Sequence, residues 1–518
     1  MSTKRRTPAD LARSALIALA SMCCGIGNTF AAEETIWPMP EWRVSTPEQQ
    51  GMDSAELAKL VAFGRTRSFD SLLITRHGRK VLDAYYAPYM ADIPHVMNSA
   101  TKAVVASLIA MLHRDGLLDG LNHPLLDLFT DRSVANVDER KKAITVQNLL
   151  DMTSGFDWDE GFQGGREQSL VDLGRSPDWV KFILDRPMAH APGEVFYYNS
   201  GNSHLLSAII TRLTNKRAAD YASTRLFAPL GIDPPFWRRD PQGLSTGAFG
   251  LALRPRDMAK IGYLYLRHGV WAGKELLPPG WVDSVNRATV SMNAPFDPGL
   301  KYHNQFWAMP DLHLYMAVGY HCQVIMIFPD LDIVAVMTAR DFCPFRKIAN
   351  EISGAVKSDG ELPANPDGTT QLTRELNDVS IEKPSDVGPT SEVAATISGK
   401  TYKFPDNALN IKSLTLFLTD AEPRYSLEID THDPFNSLRR LDGPIGLDGL
   451  YRRSKPTDFG LRAVKASWEK KDTFVVDVQY VGQGEQRKWF LTFDGNKLNL
   501  RGKARDGREI SIDGETGG

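Results

Sequence analysis

An α+β body followed by an antiparallel β-barrel is the architecture that this sequence predicts. Three observations point to it. Strand-like runs lie at both ends of the stretch from Ser71 to Ala339, with helical patterns between them. A segment rich in proline and small polar residues comes next. Beyond it, short strand-like runs recur at even spacing almost to the C-terminus. The length of 518 residues agrees, since a domain averages about 150.

Composition narrows the class. Hydrophobic residues make up 42% and charged residues 24%, the mix of a soluble globular chain rather than a rod, a collagen or a disordered polymer. The net charge of -3, from 60 basic and 63 acidic residues, leaves no basic excess to neutralise phosphates. No nucleic-acid partner is therefore expected. Four cysteines are too few for a disulfide scaffold or a multi-site zinc protein.

The elements follow in order. Lys4, Arg5, Arg6 and Arg13 precede an apolar run from Ala15 to Gly27, shorter than the ~20 residues of a bilayer span. Thr29 and Ala31 supply small residues at the two cleavage positions. Residues 1–31 read as a signal peptide cut after Ala31, and the chain as periplasmic or secreted. Arg5-Arg6 leaves the general and twin-arginine export routes both open. No later segment predicts a membrane span. The mature chain keeps Cys322 and Cys343, a candidate disulfide in an oxidising compartment. Ser71 to Thr75 and Lys80 to Tyr86 predict a hairpin about His77-Gly78. Ser99 to Arg114 predicts a buried helix, apolar on more than one face. Thr145 caps a short helix to Asp151, and Pro255 opens another to Arg267. Strand character returns from Leu314 to Phe328, turns at Pro329-Asp330 and resumes from Ile333 to Ala339. These place the body at residues 32–357. Residues 358–393 read as a linker along a surface. Residues 394–518 read as the barrel, with strands near Leu414–Leu418, Tyr425–Ile429, Arg462–Trp468, Phe474–Tyr480, Lys488–Phe493 and Leu498–Arg501.

The chemistry centres on Ser99-Ala100-Thr101-Lys102. On a helix, three residues of separation put the serine and the lysine on one face, one turn apart. A hydroxyl attacks poorly unless a base takes its proton, and a lysine is that base when neutral. Neutrality near pH 7 requires a pKa about 3 units below ~10.4, which burial against an apolar helix supplies. Ser467-Trp468-Glu469-Lys470 repeats the spacing, but on a strand, where the two side chains face opposite ways. There is no His-Glu-x-x-His, no Cys-x-x-Cys, no phosphate loop and no Gly-x-Ser-x-Gly elbow, so no metal or other cofactor is expected. Asp157, Asp159 and Glu160 read as a solvated acidic loop.

Four segments together carry a resemblance: the Ser99 helix, Ile144 through Gly155 with its Thr153-Ser154-Gly155 end, Pro192-Gly193-Glu194-Val195-Phe196-Tyr197-Tyr198, and Arg256-Asp257-Met258-Ala259-Lys260 with Leu264-Tyr265-Leu266. In that order they resemble the serine β-lactamase and penicillin-binding-protein superfamily, specifically its class C-like serine hydrolases. The resemblance spans Trp37 to Asn350. It implies a β-lactamase-like antiparallel sheet flanked by helices with a helical subdomain. It implies Ser99 as nucleophile, Lys102 and Tyr198 as general base and acid, and the backbone N–H groups of Ser99 and Tyr320 as an oxyanion hole. Where the family has Tyr-x-Asn, this chain has Tyr198-Asn199-Ser200, which makes Ser200 and Asn202 candidates for binding substrate. Its third motif, Lys-Thr-Gly or a histidine variant, falls on Ala317-Val318-Gly319. Gly319 keeps that wall open, and His321 stands just beyond it, beside substrate or bonded to a neighbour. The cation is replaced by Ala317. The implied substrate is a small ester or amide of the kind cut by carboxylesterases or aminohexanoate-dimer hydrolases. The alternatives are a β-lactamase or D-amino-acid peptidase, a penicillin-binding protein, or a sensor that is acylated without turnover. The barrel resembles the lipocalin-like appendage of some relatives, with shaping the cleft or joining a homodimer as its expected roles.

Overall fold

The computed structural model describes residues 35–161, 166–342, 344–430, 440–457, 460–503 and 507–517. The expected leader and Cys343 lie outside them. Trp37–Gly518 forms one compact unit. Among the described residues its body holds a nine-stranded sheet. The central order is Arg79–Tyr85, Phe69–Arg76, Ile333–Ala339, Gln323–Phe328, Leu314–Gly319 and Phe306–Met309, each antiparallel to its neighbours. The expected hairpin turns at His77 and Gly78, with φ of 51° and 71°, the left-handed pair that a tight two-residue turn demands.

The pleat sorts side chains onto two faces. Leu73, Ile325, Ile327, Val334 and Val336 pack with the helices Thr101–Arg114 and Pro255–Leu266. Leu72, Ile74, Val324, Met326 and Met337 pack with Ser54–Thr66, Phe345–Ala355 and Pro366–Ser380. Both faces are covered, so these antiparallel strands are apolar throughout and do not alternate as a one-sided sheet would. The subdomain is helical. Thr145 closes a capping box with Asn148 at the start of Val146–Leu150.

The stretch read as a linker carries a 15-residue helix, Pro366–Ser380. Asn365 caps it by accepting the Gly368 N–H, and Leu372, Leu376 and Val379 lie on the body. Pro366 starts this helix rather than breaking it, since its missing N–H costs nothing in the first turn.

The C-terminal sheet has ten antiparallel strands among the described residues. All six expected runs are strands in it. Phe474, Leu491, Phe493, Leu498 and Leu500 fill its interior. Gly446 draws the two edges together, donating to Val464 O at 3.0 Å and accepting from Ala466 N–H at 2.8 Å. Among the described residues no helix is long and apolar enough to cross a membrane.

Candidate active site

Asn98–Ala100 forms one 3-10 turn that runs directly into the helix Thr101–Arg114. Asn98 is left-handed, with φ of 48°, and this puts Ser99 at the corner. The helix is buried from Thr101 to Leu112, so Lys102 is carried into the interior and is only 1% exposed. Its Nζ lies 2.9 Å from Ser99 Oγ, 3.1 Å from Ser200 Oγ and 3.2 Å from Ala248 O. Burial pushes the lysine down to about 8, with the Glu160 carboxylate pulling the other way. The Tyr198 ring centroid is 4.7 Å from Nζ, and the Tyr198 phenol hydrogen-bonds Ser99. Burial, reinforced by Glu160, holds that phenol well above its ordinary value.

Ser200 is the first residue of the helix Ser200–Thr214, capped by Asn199. Its hydroxyl and its N–H both donate to Glu160, at 2.5 Å each. Trp158 Nε1 donates to the same carboxylate at 2.9 Å. Glu160 is therefore not a member of a solvated loop, as the acidic run suggested. It turns inward because three donors converge on it. No local pattern in the sequence marks this turn inward, which depends on Trp158 two residues before and on Ser200, two residues after Tyr198. Asn202 is fully buried, and its Oδ1 accepts from the Ser154 hydroxyl at 2.9 Å. That bond ties Thr153-Ser154-Gly155 to the Tyr198 segment, as does Tyr197 N–H to Met152 O at 2.8 Å.

The strand Leu314–Gly319 ends against the Ser99 turn. A Cβ at Gly319 would lie 2.1 Å from Met97 O and 3.1 Å from Ala100 N. The glycine is thus required for strand and turn to touch, a closer role than leaving the wall open. Ala317 is 1% exposed and shares the apolar cluster of Ala100 and Val104. Asn98 Nδ2 donates to Tyr320 O at 3.1 Å. His321 and Cys322 both take left-handed backbone, with φ of 57° and 63°. Gln323 Nε2 bridges the carbonyls of Tyr320, His321 and Ala339 at 3.1, 2.9 and 2.8 Å. Cys322 is disulfide-bonded, and its expected partner Cys343 lies outside the described residues.

The barrel reaches this wall. Its strands Thr473–Val481 and Glu485–Asp494 meet in a turn that contains Gly482 and Gly484. Gly482 O accepts from Val96 N–H at 2.7 Å, three residues before Ser99. Gly484 O lies 3.0 Å from His321 Nδ1. His321, expected beside substrate or bonded to a neighbour, is thus bonded to the barrel. Val481 and Leu461 also join Tyr89 and Ile93 in a small apolar cluster.

A buried lysine against a helix-start serine, beside a sheet closed on that serine by glycine, marks a serine-nucleophile hydrolase. The chain belongs to the Beta-lactamase family, whose model matches residues 57–352, and it is a serine hydrolase of that fold. It is 26% identical over 288 residues to the 6-aminohexanoate-dimer hydrolase of Paenarthrobacter ureafaciens, over 52% of this chain and 71% of that one. Among solved structures, EstCE1, a hydrolase with promiscuous acyltransferase activity, is similar at 15% identity and a TM-score of 0.48, over 59% of this chain and 99% of that one. The octameric penicillin-binding protein homologue of Pyrococcus abyssi is similar at 15% identity and a TM-score of 0.45, over 89% of this chain and 99% of that one.

Proposed function

We propose that the protein cleaves an ester or amide bond of a small, neutral substrate through an acyl-enzyme on Ser99. The observation that carries this is Lys102 Nζ, held 2.9 Å from Ser99 Oγ while 1% exposed. Near and above pH 8 the amine is neutral and takes the serine proton as Ser99 attacks the carbonyl. The N–H groups of Ser99 and Tyr320 receive the oxyanion. Tyr198 keeps its proton, because burial disfavours the phenolate. It serves as a relay, giving a proton to the leaving group and regaining one from Lys102. Water then enters by the same route in reverse and releases the acid.

Ala317 supports the neutral substrate class, since a methyl group stands where a cation would hold a carboxylate. The name of the Paenarthrobacter relative makes linear amides the first class to test beside short esters. Export to an oxidising compartment is part of the proposal, supported by the basic-then-apolar N-terminus and by the disulfide at Cys322. A fluorophosphonate probe followed by peptide mapping tests the nucleophile. A panel of esters, linear amides, D-amino-acid amides and a chromogenic cephalosporin tests the substrate class. Label on any residue other than Ser99 refutes the mechanism. A burst of one product equivalent with no steady state means a sensor rather than a hydrolase.

A further inference from the structure

We propose that Glu160 is a positioning residue which fixes the direction of the Ser200 hydroxyl and thereby aims the electron pair of Lys102 at Ser99; this rests on the acyl-enzyme reading above. Three donors point at the Glu160 carboxyl: Ser200 Oγ–H, Ser200 N–H and Trp158 Nε1–H. Such a set fits a carboxylate, which only accepts. Ser200 has a single hydroxyl proton, and Glu160 takes it. Towards Lys102, 3.1 Å away, Ser200 is then able only to accept. The third neighbour of Nζ is Ala248 O at 3.2 Å, a carbonyl that also only accepts.

A neutral amine has two N–H bonds and one electron pair. Ser200 and Ala248 use both N–H bonds, so the pair is left for the Ser99 hydroxyl at 2.9 Å. Without Glu160, the Ser200 hydroxyl is free to turn and donate to Nζ, which occupies the pair and leaves Ser99 without a base. The charge acts as well. Burial raises the Glu160 pKa, while Lys102 and the Ser200 and Trp158 donors hold it down. The carboxylate in turn favours the ammonium form of Lys102. The other titratable groups that feel Glu160 are Tyr198, Tyr302 and Tyr197, all phenols kept neutral by burial. Neighbouring Asp159 is occupied by the backbone N–H groups of Gly161, Arg166 and Gln168.

The test is the pH dependence of the rate at which a fluorophosphonate labels Ser99 in the full chain, which needs no knowledge of the substrate. The wild-type rate rises with pH through a limb near 8, the deprotonation of Lys102. Glu160→Gln removes the charge that favours the ammonium, so the limb moves to lower pH, by about one unit. The amide also sets an N–H against the Trp158 or Ser200 donors, and the plateau rate falls about tenfold. Glu160→Asp keeps the charge and the limb. A carboxylate that acts by its charge alone moves the limb and leaves the plateau rate, so an unchanged plateau rate in folded Glu160→Gln overturns the proposal. Should that variant not fold, Ser200→Ala decides: a plateau rate about tenfold lower supports the proposal, and an unchanged one overturns it. Wild-type protein that takes no label at Ser99 overturns the site itself and this inference with it.

Discussion

The two sides of Ser99 are built by different means. On the side proposed to move protons, the groups are side chains: Lys102, Tyr198, Ser200 and Glu160 come from three segments of the body and meet within hydrogen-bond distance. On the side proposed to hold the oxyanion the groups are backbone N–H groups, and side chains only brace them. Asn98 joins the turn bearing Ser99 to the loop after Gly319, Gln323 ties that loop to Ala339, and the barrel hairpin is bonded to Val96, just before the turn, and to His321 in the loop. A side-chain device is lost by one substitution and leaves the fold intact. A backbone device has no side chain to remove and yields only to strain. That difference sets how each side should respond to mutation.

The largest effects belong to the proton side. Ser99→Ala should lower kcat by about ten-thousand-fold or more and leave the melting curve close to wild type, since losing a helix-start serine costs only ~1 kcal/mol. Residual turnover above that level would point to another nucleophile. Lys102→Ala and Tyr198→Phe should each lower kcat at least ~100-fold, and near-normal kcat in either removes it from the mechanism.

Lys102 also links activity to stability. Burial in the folded protein pushes its amine down to about 8, from the ordinary 10.5. Between those values the unfolded chain binds the extra proton, so this group's contribution to stability rises with pH through that window. Below about pH 8 the folded protein holds a buried ammonium at a cost. Lys102→Met should therefore be more stable than wild type at pH 7, by up to about 3 kcal/mol, less the cost of orphaning its three oxygen partners. The gain should shrink as pH rises towards 10.5. Equal denaturation midpoints at pH 7, or a gain that grows with pH, would mean the lysine is not held against its charge.

This contrast also explains what could be read beforehand. Ser99 and Lys102 are local in sequence, so their spacing made them candidates, while Tyr198 rested on the resemblance of its segment. Glu160 escaped because an acidic run next to glycines looks solvated, and two of its three donors lie 40 residues away at Ser200. The sheet was legible where strands are long and apolar. The barrel strands Glu509–Thr516 and Thr401–Lys403 were not, being short or mostly exposed. Gly514 makes room there for the Phe404 ring, 2.7 Å from where a Cβ would sit, a packing fact with no local pattern. The docking of the barrel hairpin is likewise a matter of tertiary structure, as neither Gly482 nor Gly484 differs locally from any turn glycine.

Substrate preference gives a smaller effect. With a methyl at Ala317, a substrate carboxylate loses a charge-assisted hydrogen bond, worth roughly 1.5–3 kcal/mol, or about ten- to a hundredfold. Neutral esters and amides lose nothing. Their kcat/KM should exceed that for penicillins and cephalosporins. Ala317→Lys is not a clean reversal, because the residue is 1% exposed in an apolar cluster and a lysine there strains the core. A preference of the wild-type enzyme for a β-lactam over every neutral substrate would refute the reading of this wall.

The smallest effect is the most discriminating for the oxyanion side. Gly484 has φ of 67°, and a Cβ there would lie 2.9 Å from both Ala339 O and Gln323 Nε2. Gln323 is the brace that holds the carbonyls of Tyr320 and His321. Gly484→Ala should push on that brace and shift the Tyr320 backbone by a few tenths of an ångström. Since a 1 Å misplacement costs up to ~100-fold, a fall in kcat of about tenfold is expected, with KM little changed. Gly495 is the control. It sits at another barrel turn with φ of 59° and nothing within 4 Å of its would-be Cβ. Gly495→Ala carries the same left-handed strain of ~1 kcal/mol or more and touches nothing near Ser99. Both variants should melt a few degrees lower, about 2–4 °C, but only Gly484→Ala should lose kcat. If the two lose activity equally, or neither does, the barrel hairpin does not set the oxyanion wall, and the two sides of Ser99 differ only in which residues line them.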